Sequence, residues 1–130
     1  MINYKEKLGD VRAFVFDFDG VMTDGSVWTF GDGETVRCGN IKDGFAIQYA
    51  VKKGYIIAVI SGATSKSIDN RMAMLGVTQV YTGCGDKIKT YEQLTNSRRS
   101  WRKGGKQRAD SRWPISVICW RRPCRNIWAL

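Results

Sequence analysis

Apolar and polar positions follow two rhythms along the first 94 residues. Val11-Arg-Ala-Phe-Val-Phe-Asp-Phe18 is a short, mostly apolar run rich in β-formers, the composition of a buried parallel strand. It runs into Asp19-Gly20-Val21, where Gly20 permits the chain to turn. Gly25 to Thr35 reads as a β-hairpin, with Ser-Val-Trp-Thr-Phe, then Gly31-Asp32-Gly33, then a second extended stretch. Asp43 is a candidate N-cap for a helix over 44–53, with Phe45, Ile47, Ala50 and Val51 as its apolar face and Gly54 as its stop. Tyr55 to Ile60 is a second buried strand, leading into Ser61-Gly62. Ser65 or Ser67 opens a helix with Ile68, Met72 and Leu75 on one face, closed by Gly76. Val77 to Tyr81 is a third strand, Thr82 to Gly85 a loop, and Asp86 to Leu94 a helix.

Strand and helix alternate, so the fold class is α/β: a Rossmann-like three-layer parallel sheet, with the hairpin as a flap. Ligands bind such sheets at the carboxyl ends of the strands. Asp17, Asp19, Ser61 and Lys87 all fall at or just beyond such ends. Two carboxylates two positions apart repel unless a cation or a shared proton offsets them. An oxygen-seeking ion such as Mg2+ does so, and Asp17 and Asp19 are the candidate metal ligands. One Asp can then attack phosphorus while the other serves as acid and base. Ser61 and Gly62 can offer a hydroxyl and backbone N–H groups to phosphate oxygens, and Lys87 can neutralise the transferring group. Taken singly, each has a plainer reading: a chance D-x-D, a helix-capping serine, a solvated lysine. Their joint position at successive strand ends favours chemistry.

These residues resemble the motifs of the haloacid dehalogenase superfamily. Phe16-Asp17-Phe18-Asp19-Gly20-Val21 is similar to its first motif, Ile60-Ser61-Gly62 to its second and Gly85-Asp86-Lys87 to its third. Asp17 to Gly25, the short hairpin, Asn40-Ile-Lys-Asp-Gly44 and Gly83 to Lys87 resemble its small, capless branch, whose members act on 3-deoxy-D-manno-octulosonate 8-phosphate or nine-carbon sialic-type acid 9-phosphates. The resemblance covers about residues 11–94. It implies a Mg2+-dependent phosphomonoesterase of lipopolysaccharide biosynthesis, working through a phospho-aspartate. Asp17 would be nucleophile and metal ligand, and Asp19 general acid/base and a metal ligand through its backbone carbonyl. Ser61 and Gly62 would bind phosphate, Lys87 would steady Asp17, and Arg71 and Lys42 would meet the substrate, with an ordinary surface arginine on its helix as the favoured plainer reading of Arg71. It further implies a homotetramer assembled through the 25–37 hairpin, with Trp28 and Phe30 either in that contact or in ordinary cross-strand packing. Two departures stand out. Ala63 follows Ser61-Gly62 where the octulosonate enzymes carry Arg, and the fourth motif, Gly-Asp-Asp, is absent.

Composition divides the chain at the same place. The 130 residues carry 21 Lys plus Arg, 12 Asp plus Glu and no His, for a formal charge of +9. A chain of this length fits one domain. The lack of His excludes Ser-His-Asp and Cys-His nucleophile pairs and any His-ligated metal. Residues 1–94 hold 11 basic and 11 acidic groups. Residues 95–130 hold ten basic groups against Asp110, with four of the five Trp and both Pro. The domain reading is therefore an incomplete phosphatase core over 1–94, lacking the C-terminal part of the fold, and a basic, Trp-rich tail over 95–130. Trp120-Arg121-Arg122-Pro123 can be encoded TGG CGA CGA CCN, and a one-base shift reads Gly-Asp-Asp. The leading expectation is thus a frameshifted tail and impaired activity. A divergent native tail and an inactive scaffold with a nucleic-acid-binding tail are the alternatives.

Cys38 and Cys84 read as reduced thiols, a small hydrophobe and a loop residue. No run approaches the ~18 apolar residues of a membrane span. The expected setting is the cytoplasm, with a small sugar-acid phosphate as partner rather than nucleic acid or membrane.

Overall fold

The structure, a computed structural model, describes residue 11 and residues 13–99. The tail from residue 100, with Asp110, Cys119 and Cys124, lies outside the described residues, and so do the expectations attached to it.

Three strands form a parallel sheet in the order β1 (Ala13–Phe16), β4 (Ile56–Ile60), β5 (Gln79–Tyr81). Two more, β2 (Thr23–Thr29) and β3 (Thr35–Gly39), pair antiparallel as the hairpin. Helix α1 (Ile41–Lys52) connects β3 to β4, α2 (Lys66–Met74) connects β4 to β5, and α3 (Lys87–Arg99) follows β5. Strand and helix alternate as the sequence predicts, and α3 continues past Leu94.

The central strand shows why the sheet takes helices on both faces. Ile57 and Val59 point into one cluster with Phe18, Met22, Ile47 of α1, and Ile68 and Met72 of α2. Ala58 and Ile60 point the other way, to Val15 and Leu94 of α3. Successive residues of a strand face opposite sides, so an unbroken apolar run needs a layer on each. Ala58, Val59 and Ile68 are fully buried. Tyr91 of α3 packs against the second cluster, and burial pushes its phenol above the ordinary value.

The local expectations need three corrections. The α1 cap is Asn40, whose side chain accepts from the Lys42 N–H, and Asp43 sits inside the first turn. Phe45 is not on the buried face: it is 71% exposed and stacks on Tyr49, while Gly44 and Ile47 face the core. Positions three apart share a helix face, and counting back from Ile47 gives Gly44. Cys38 is exposed on β3 and is not a packed hydrophobe, whereas Cys84 is a half-buried loop thiol as expected.

Candidate active site at the carboxyl end of the sheet

Parallel pairing brings the ends of β1, β4 and β5 to one edge of the sheet. Asp17 follows β1, Ser61 and Gly62 follow β4, and the loop after β5 leads to Lys87 at the start of α3. Backbone bonds zip these loops together. Ser61 N–H donates to Tyr81 O at 2.8 Å, Cys84 N–H to Ser61 O at 3.0 Å, and Gly83 N–H to Ala63 O at 3.0 Å. Asp86 then starts α3, its Oδ1 accepting from the Lys89 N–H.

The result is an ion pair spanning 70 residues of sequence: Lys87 Nζ donates to Asp17 Oδ2 at 2.7 Å. Asp17 Oδ1 accepts from the Phe18 N–H at 2.8 Å, which fixes the carboxylate just outside the sheet. The Asp17 side chain is 23% exposed, so it is held but reachable. Gly62 lies beside this pair, exposed, with room for a Cβ at ordinary contact distance from the Lys87 stem. Ser61 is buried, and its Oγ accepts from the Ala63 N–H at 3.2 Å, leaving the hydroxyl proton to donate elsewhere.

Asp19 lies on the turn that follows β1. Gly20 there has φ of 75°, a left-handed conformation that favours glycine. Thr23, buried at the base of the hairpin, accepts from the Gly20 and Gly25 N–H groups and closes the turn. The partner of Asp19 comes from β3: Arg37 Nε donates to Asp19 Oδ1 at 2.6 Å. Each of the two carboxylates thus meets its own cation.

Asp17, Lys87 and Gly62 therefore meet, with Ser61 beneath and Asp19 on the adjoining turn. The other two candidates lie apart from this pair. The Arg71 guanidinium rests over Gly44 of α1, where an added Cβ would collide with its Nη2, and Lys42 is exposed in the first turn of α1. A groove of about 720 Å³ runs between the hairpin base and α1, lined by Gly20, Thr23, Asp24, Asn40 and Asp43 among others. A hydrogen bond from the Ser26 N–H holds the Asp24 carboxyl below its ordinary value. Neither Arg37 nor Thr23 stands out in the sequence. The available signal was the alternation Thr35-Val36-Arg37, which puts Thr35 and Arg37 on one face of a strand.

Asp17 and Asp19 offer only oxygen donors, which suits a hard divalent cation. Among the described residues no group of three or more His, Cys, Asp or Glu converges as a metal cage. Two carboxylates and backbone oxygens are the donors this region supplies.

A parallel α/β sheet with a carboxylate–lysine pair at its strand ends is the arrangement of a haloacid dehalogenase-type fold, and solved structures of that superfamily match it. The particular match, over part of the chain, is to 3-deoxy-D-manno-octulosonate 8-phosphate phosphatases. The phosphatase KdsC of Yersinia pestis is 32% identical over 89 residues, covering 68% of this chain and 48% of that protein. The crystal structure of the Yersinia pestis phosphatase aligns with a TM-score of 0.72 and 27% identity, over 88% of this chain and 55% of that one. That of the Moraxella catarrhalis phosphatase, in complex with magnesium ion, phosphate ion and KDO, aligns at 0.69 and 28% identity, over 72% of this chain and 54% of that one. No family model matches the chain. The chain spans about half the length of the curated relatives it matches.

Proposed function

We propose that the chain is a phosphomonoesterase for a sugar-acid phosphate of the 3-deoxy-D-manno-octulosonate 8-phosphate type, working through a phospho-aspartate on Asp17. The observation that carries this reading is the Lys87–Asp17 pair at 2.7 Å, set beside Gly62 at the carboxyl end of a parallel sheet. An Asp17 oxygen attacks phosphorus. The P–O ester bond breaks with its electron pair going to the leaving oxygen, which takes a proton from Asp19. Water then attacks the phospho-aspartate, gives its proton to Asp19 and frees Asp17. Ser61 and the Gly62 backbone hold the non-bridging oxygens, and Lys87 offsets the charge that builds on them.

Asp17 and Asp19 would hold a divalent cation, taken as Mg2+ because the Moraxella catarrhalis phosphatase structure contains it. When bound it supplies charge neutralisation at the phosphoryl oxygens. With the Asp17 carboxylate and the Asp19 backbone carbonyl as its donors, we infer weak metal binding and turnover slower than that of a full-length relative.

The groove beside Gly20 is the size of a small-molecule site. Asp24 and Asp43 suit it to accept hydrogen bonds from sugar hydroxyls. Lys42 in the first turn of α1, and Arg71 in the last turn of α2 with its guanidinium over Gly44, are assigned to the acid end of the substrate. The hairpin over 25–37 is assigned to a homotetramer contact, supported by Trp28 at 66% and Phe30 at 55% exposure. No helix among the described residues is long and apolar enough to cross a membrane.

The test is phosphate release from 3-deoxy-D-manno-octulosonate 8-phosphate and from p-nitrophenyl phosphate, with and without Mg2+. Metal-dependent release that disappears in Asp17→Asn is expected. No release under any condition, or release indifferent to Asp17→Asn, overturns the reading.

A further inference from the structure

Arg37 sits in β3, outside the motifs, yet its side chain is only 8% exposed. Its Nε donates to Asp19 Oδ1 at 2.6 Å and its Nη1 to Thr35 Oγ1 at 3.1 Å. β3 is itself fixed on two sides. Arg37 lies opposite Val27 in the β2–β3 register, and Ser65 Oγ, at the start of α2, donates to the Thr35 carbonyl at 3.4 Å. Asp19 Oδ2 has no hydrogen-bond partner among the described residues.

We propose that Arg37 is a positioning residue for Asp19, and so makes the hairpin part of the catalytic apparatus. The proposal rests on the phosphatase reading above. A carboxylate on a turn can rotate about its side-chain bonds. A short, charge-assisted bond from a planar guanidinium to one of its oxygens removes that freedom. With Oδ1 gripped, Oδ2 is the oxygen left for proton transfer to the leaving group. The rigid β3 backbone, rather than the turn that carries Asp19, then sets where that oxygen lies. Proton transfer depends steeply on such placement, because a misdirected group loses most of its advantage. Arg37 touches neither substrate nor the reacting atoms and acts through Asp19 alone.

The test compares wild type, Arg37→Lys, and Arg37→Ala with and without free guanidine. Each is assayed on p-nitrophenyl phosphate, whose leaving group needs little protonation, and on a sugar phosphate, whose alkoxide leaving group needs much. Arg37→Ala is expected to lose about 10- to 100-fold in kcat on the sugar phosphate, far less on the aryl ester, with KM little changed. Arg37→Lys and added guanidine should each restore part of the loss. A role confined to hairpin folding would lower both substrates alike and ignore guanidine, and that result, or no loss at all, overturns the proposal. A second measurement is independent of turnover: the Arg37 Nε–H resonance in 15N NMR of the full chain. It should exchange slowly with water and shift or vanish in Asp19→Ala. If wild type releases no phosphate, the phosphatase reading falls and this signal decides for Arg37. An Nε–H resonance indifferent to Asp19→Ala overturns the pairing.

Discussion

The sheet and the hairpin meet at Asp19, yet their residues are sorted in opposite ways. In β4 every residue from Ile57 to Ile60 is buried, and the two faces of the strand are matched by helices. In the hairpin the apolar side chains Val27, Trp28, Phe30 and Val36 are exposed, and it is polar Arg37 that turns inward. A hairpin laid over an apolar core would show the reverse. The difference teaches that the hairpin is aimed at a charged site, with Trp28, Phe30 and Val36 on its opposite face left for something other than this core. The sheet supplies stability and fixes Asp17 and Lys87, and the hairpin supplies a cation to a carboxylate that the sheet does not reach.

The most severe test of this division is Asp17→Asn, which should cut phosphate release at least ~1000-fold without changing the unfolding midpoint. Rate loss with matching loss of stability would mean that Asp17 is a fold element. Ile68→Ala, on the sheet side, should destabilise by about 2–5 kcal/mol in urea unfolding, because a fully buried branched side chain leaves a cavity. A value near zero would show the core of α2 to be looser than its burial indicates. Lys87→Met should cost about 100-fold in kcat. It should change stability only slightly, since the lysine side chain is 45% exposed and solvent screens its pair with Asp17.

Smaller effects sharpen the contrast. Gly44→Ala should be neutral or stabilise by up to ~1 kcal/mol, because Ala favours a helix interior. The added Cβ meets the far end of Arg71, a flexible side chain that can step aside. If Arg71 binds the substrate from its place over Gly44, the same change will raise KM, which the kinetics read directly. Trp28→Ala should move the unfolding midpoint by no more than about 0.5 kcal/mol in dilute, monomeric protein. The same substitution in concentrated protein, followed by sedimentation, should weaken self-association. A dilution-independent loss as large as that of Ile68→Ala would place Trp28 in the chain's own core and erase the distinction between the two regions.

Much of the sheet side was legible in the linear pattern. Short apolar runs ending in polar residues marked β1 and β4, and the glycines after the helices marked their ends: Gly54 and Gly76 have φ of 85° and 80°. Asp17 and Lys87 were legible as candidates because chemistry-bearing residues at strand ends stand out from the apolar runs before them. The α1 face is not legible at Phe45: the pattern predicts an aromatic core contact there, whereas the small Gly44 is what faces the core, under Arg71. A hydrophobicity pattern weighs side chains by size and cannot see that a site with no side chain makes room for another helix.

The sequence by itself determined the alternation of strands and helices, the direction of the sheet and the set of residues at its strand ends. These follow from local rules: period-two burial, helix stops and the placement of polar residues after apolar runs. It also determined the break in charge after Leu94, which is a matter of counting. Only the tertiary structure decided which groups meet. That Lys87 reaches Asp17 depends on β1 and α3 flanking the central strand, across 70 residues of chain. That Arg37 reaches Asp19 depends on the hairpin folding back with its polar face inward, across 18. Pairing of charges is a property of distance in space, and no periodicity along the chain encodes which cation arrives at which carboxylate.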